Sequence, residues 1–141
     1  MSETTFPRRD ADGRVVHLVE LFAWVGAGLV LGFVVLLVID GISSLLGAGR
    51  FGQVSGWLAA ILPVWLFTEE FRAWRAVPAR IIAALGCAIL AGVIGFSASV
   101  AAAHALPPLG SGAVGAAISA FLYALLWYVG IRWLADRSVP R

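Results

Sequence analysis

The chain has 141 residues, a formal net charge of +2 and a 61% hydrophobic composition, against about 45–50% in a soluble domain. So short a chain cannot hide that much apolar surface from water, so its mean hydropathy of +0.95 excludes an ordinary soluble globule and makes lipid the solvent for most of it. The ten basic residues are all arginines flanking apolar runs, which argues against nucleic-acid binding, and the lone Cys87 excludes a disulfide framework or a cysteine metal site.

Residues 1–17 read as a polar cytoplasmic arm, with Arg8, Arg9 and Arg14 set among Glu3, Asp10 and Asp12. The run 18–39 makes about 22 residues, roughly 33 Å of helix, enough to cross a bilayer core of about 30 Å. It is longer than the apolar region of a signal peptide and lacks a convincing small-residue cleavage site, so an uncleaved first span is expected. Asp40-Gly41 is the expected stop, with glycine where a left-handed cap is wanted. Beyond it, Ile42, Leu45 and Leu46 keep near-helical spacing along an outer connection.

A second span is expected over 51–68, bent at Pro63, which frees the carbonyl of Ala59. A charged hinge, 69–80, separates it from the third span, and Pro78 suits the first turn of the helix that follows. The third span, 81–106, is closed by Pro107-Pro108, and its roughly 39 Å requires tilt or projection past the core. The fourth covers 111–134, and 135–141 form a tail. The expected fold is therefore an all-α integral membrane protein, an antiparallel bundle of four transmembrane helices.

Nine of the ten arginines fall on the N-terminal arm, the hinge and the C-terminal end, and only Arg50 falls on the other side. The positive-inside bias then puts both termini and the hinge in the cytoplasm of a bacterial plasma membrane.

Small residues crowd three spans. Gly28-x-x-x-Gly32 and Gly115-x-x-x-Ser119 fit the pattern that lets helix backbones approach closely, and Gly86, Gly92, Gly95, Gly112, Ala116 and Ala120 add to it. Packing inside one bundle is the simpler meaning; contact with a second copy or another membrane protein is the sharper one. Trp65, Phe67, Trp127, Tyr128 and Trp133 read as an inner aromatic belt, and Phe51 and Trp57 mark the outer side. In the hinge, a helical turn puts Phe71 and Trp74 toward the membrane and Glu69, Arg72 and Arg75 toward water or head groups. With Glu70, these form a membrane-surface or partner contact.

Glu20 lies at interfacial depth near a helix start, where the helix dipole favours an acid, and His17 is within a turn of it. Asp40, at the expected far end of the first helix, has Arg50 as its expected outer ion-pair partner. His17 and His104 fall on opposite sides, which precludes a shared metal site. Ser97 and Ser99 have no base at their depth and are expected to bond to their own helix carbonyls. No nucleophile–base arrangement, phosphate loop or metal spacing is visible, so neither catalysis nor a cofactor is expected.

In length and span count the chain resembles the small multidrug-resistance exporters and the fluoride channels. Glu20 lies shallower than the glutamate on which the exporters rely, and the Asn- and Thr-rich signatures of the fluoride channels are missing. Three roles follow: an accessory or interaction subunit, a phage-type membrane protein (holin or superinfection exclusion), or a small oligomeric transporter or channel. The central turns offer only Ser119 and Tyr123 as polar groups, which lowers the last.

Overall fold

The computed structural model of the chain describes residues 6–11, 15–47 and 78–137. These residues are all-helical apart from the N-terminal segment and the turns: α1 (Leu18–Leu45, 28 residues), α2 (Pro78–Ala102, 25 residues) and α3 (Pro108–Arg137, 30 residues). All three are long and apolar enough to cross a membrane. The expected second span, 51–68, lies outside the described residues, as do hinge residues 69–77.

The helix ends follow local chemistry. Pro78 and Pro108 each open a helix, a position where the missing N–H is not needed. The expected stop at Asp40-Gly41 does not occur, and α1 runs on to Leu45. Gly41 sits inside the helix with its carbonyl accepting from Ser44 Oγ at 3.0 Å. A glycine within a helix costs only about 1 kcal/mol, so it need not end one. The left-handed position comes at Gly47, whose φ is +73°, with Leu46 N donating to the Ile42 carbonyl.

Glu20 and Asp40 thus bracket an uncharged stretch of about 19 residues, or roughly 28 Å, close to the thickness of a bilayer core. The rest of α1 projects beyond it.

α2, which matches the expected third span, ends at Ala102, short of the expected 106. There His104 N and Ala105 N bond to carbonyls three residues back, tightening the chain into the turn that carries Pro107. α3 starts at Pro108 rather than at 111, and it extends past 134 to Arg137.

Among the described residues, α3 is the central element. Of its membrane-crossing window 33% is buried, against 17% for α2 and 11% for α1. α2 and α3 form an antiparallel hairpin. α1 also runs antiparallel to α3, since Val16 meets Tyr128 and Phe22 meets Phe121. α1 and α2 therefore run the same way.

The buried cluster of Val15, Leu21, Val25, Leu29, Ala84, Ala120, Ala124 and Trp127 gathers at the end bearing the N-terminus. Elsewhere large apolar side chains face outward, among them Val30, Val38, Ile82, Ile89 and Val93. That pattern suits lipid as the surrounding solvent.

Candidate functional site

The described residues offer two constructed features, a helix seam and a folded strap. The seam joins α2 to α3. On α2 the buried positions are Ala84, Ala91, Gly95 and Ser99, and on α3 they include Gly112, Gly115, Ala116, Ala120 and Ala124. Both series recur at helical spacing, mostly four residues with steps of three or seven, so each helix presents a strip without bulk to the other.

The approach is closest at Gly95. A Cβ there would overlap the Ser119 hydroxyl and lie 2.6 Å from the Gly115 carbonyl oxygen. Glycine is required because backbone faces backbone. Gly92, about one turn away, and Gly86, more than two turns away, have nothing within 4 Å of a Cβ. Ser119 Oγ is itself buried without a hydrogen-bond partner. Its hydroxyl fills the gap left by Gly95 instead of joining a polar path.

Of the sequence-predicted packing residues, Gly115 and Ser119 thus lie together against α2. Gly32 is buried on the α1 face shared with Leu21, Val25 and Leu29, and Gly28 is half-buried beside it. Side-chain bulk, not backbone proximity, joins α1 to α3. Phe22 and Phe121 meet edge to face at 5.5 Å, and Phe121 Cζ lies 3.6 Å from where a Gly26 Cβ would stand.

The strap is the N-terminal segment, which the sequence presents as a polar arm and the structure folds back over the start of α1. Arg9 and Val15 form an antiparallel bridge, and Val16 N donates to the Arg8 carbonyl at 3.0 Å. Glu20 receives Arg8 twice: the backbone N–H donates to Oε2 at 2.7 Å and Nε donates to Oε1 at 3.0 Å. Phe6 tilts against Trp24 with ring centroids 6.1 Å apart, and Val15 is buried. Tyr128 of α3 donates its hydroxyl to the Val16 carbonyl at 2.9 Å.

Glu20 is therefore hydrogen-bonded by Arg8, twelve residues away. His17 forms the N-cap without a side-chain cap bond. No local periodicity signals the Arg8–Glu20 pair, because it depends on a chain reversal.

Other sequence-predicted positions are distributed as follows. Asp40 is half-buried within α1, five residues before its end at Leu45, and Arg50 lies outside the described residues. Glu69, Glu70, Phe71, Arg72, Trp74 and Arg75 also lie outside them. Trp127 is not an interfacial anchor: it is buried, stacked on Tyr123 at 6.2 Å, in the main cluster. It lies on the same strip as Ala120 and Ala124, and the small residues there leave room for an indole. Trp133, half-exposed, suits a belt. Ser97 Oγ donates to the Val93 carbonyl at 2.9 Å, the self-bonding a membrane helix favours. Cys87 is half-buried on α2 as a free thiol. Among the described residues, no three His, Cys, Asp or Glu side chains stand close enough to hold a metal ion.

Comparison with protein-family models, curated proteins and solved structures gives no significant match for this chain.

Proposed function

We propose that the chain is a small, non-catalytic, multi-span protein of a bacterial plasma membrane, acting through helix contacts as an accessory or interaction subunit. The observation that carries this reading is the Gly95–Gly115 approach. It closes the α2–α3 seam backbone to backbone, with serine hydroxyls (Ser99, Ser111, Ser119) as the buried polar groups and no buried ionisable side chain among the described residues, whereas a transport path needs ionisable or continuous polar groups facing the bundle interior.

The four-span reading gains support from the shared direction of α1 and α2. If both cross the membrane the same way, the chain between residues 47 and 78 has to return across it. The arginine bias then favours both termini on the cytoplasmic side. Lipid, a second copy or another membrane protein are the partners of such a surface, and Phe71 and Trp74 of the hinge are its proposed membrane-surface contacts.

Flux measurement tests the role. Liposomes containing the purified chain should leak protons and potassium at the rate of empty liposomes. A leak that rises with protein dose would replace the accessory role with that of a channel or transporter.

A further inference from the structure

We propose that residues 6–11 and 15–16 form a latch that holds α1 against α3 at the end bearing the N-terminus, and that its two fastenings open and close together. One fastening is Arg8 on Glu20, and the other is Tyr128 on the Val16 carbonyl. The first ties the segment to α1 and the second ties it to α3, so the strap bridges two helices.

Three features make it a single unit. The Arg9–Val15 bridge and the Val16 N to Arg8 carbonyl bond link the fastenings within the strap, so neither end moves without the other. Val15 is anchored in the cluster of α1, α2 and α3 side chains, which gives the strap a hydrophobic seat. Phe6 against Trp24 closes its outer edge.

The helix contacts divide unequally. α2 and α3 are joined by backbone approach at Gly95. α1 meets α3 through Leu21, Val25, Leu29 and the Phe22–Phe121 pair near the strapped end. The latch is therefore placed to govern how firmly α1 sits on an already fixed α2–α3 hairpin. Arg8 is 68% exposed while Glu20 is 14% exposed, so the ionic fastening is reachable from water and sensitive to screening.

The test uses the full chain in lipid nanodiscs, with Cys87→Ser as background. Amide hydrogen exchange is read at Arg8 and Val16, both of which donate within the latch. Glu20→Ala should speed exchange at Val16, and Tyr128→Phe should speed exchange at Arg8, each by about tenfold, although neither variant removes that amide's own acceptor. Spin labels at Val30 on α1 and Ile118 on α3 should show a longer component in both variants.

Exchange raised only at the altered end would mean two separate contacts, and an unchanged label separation would mean that the strap does not hold α1. Either result overturns the proposal. Should a variant fail to fold, the unaltered latch is read in about 1 M salt. Exchange at both amides should then rise together, and a rise at Arg8 alone would count against the latch.

Discussion

Gly95 of α2 and Gly115 of α3 meet backbone to backbone, with a Cβ on the first falling 2.6 Å from the carbonyl oxygen of the second. Lipid is as apolar as any side chain, so nothing like the hydrophobic effect presses these helices together. Their association depends on dispersion over a closely matched surface, and that surface exists only where both helices lack bulk.

Gly95→Ala should therefore destabilise the hairpin by about 1–3 kcal/mol, the usual cost of forcing a methylene into a packed interior. Gly92→Ala, where nothing lies within 4 Å, should be neutral or slightly stabilising. Unfolding of the two variants in mixed micelles compares them directly. Equal behaviour would mean that the helices are not seated at Gly95.

Ser119→Ala should be tolerated and should raise stability. Its hydroxyl is buried without a partner, a condition that costs about 1–3 kcal/mol and outweighs the small gap that its removal leaves beside Gly95. The same micelle unfolding reads it. A loss greater than about 1 kcal/mol would show that the hydroxyl has a partner that holds the seam.

The α1–α3 contact differs in kind, and a double-mutant cycle separates it. Phe22→Leu and Phe121→Leu, alone and together, should give a coupling of about 0.5–1.5 kcal/mol from the edge-to-face rings 5.5 Å apart. Additive effects would indicate that the rings are neighbours without being an interacting pair.

The membrane helices were legible from sequence because a bilayer demands long uncharged runs, and 18–39, 81–106 and 111–134 each fall on a helix of the structure. Their ends were less legible. Gly41 and Gly47 look alike in sequence, yet only Gly47 takes a left-handed φ, and nothing local says which will. Gly86, Gly92 and Gly95 were equally plausible seam residues because α2 is apolar on every face, so periodicity does not reveal the side that meets α3. Sequence alone does not distinguish the buried Trp127 from a belt residue, because tryptophan serves both as an interfacial anchor and as core filling. The series Gly112, Ala116, Ala120 and Ala124 was the available clue that residue 127 lies on the buried strip. Arg8–Glu20 and Tyr128–Val16 depend on chain reversal and helix adjacency, which composition and periodicity do not carry.

Single cysteines on the Cys87→Ser background test the proposed topology most directly, since that proposal has α1 and α2 cross the membrane in one direction with the N-terminal segment inside. Leu46→Cys, beyond α1, and His104→Cys, in the α2–α3 turn, are both exposed and should react with a membrane-impermeant maleimide in intact cells. Ala11→Cys, in the strap, should react only after the cells are permeabilised. Labelling of Leu46→Cys and His104→Cys from opposite sides, or of Ala11→Cys in intact cells, would contradict the account.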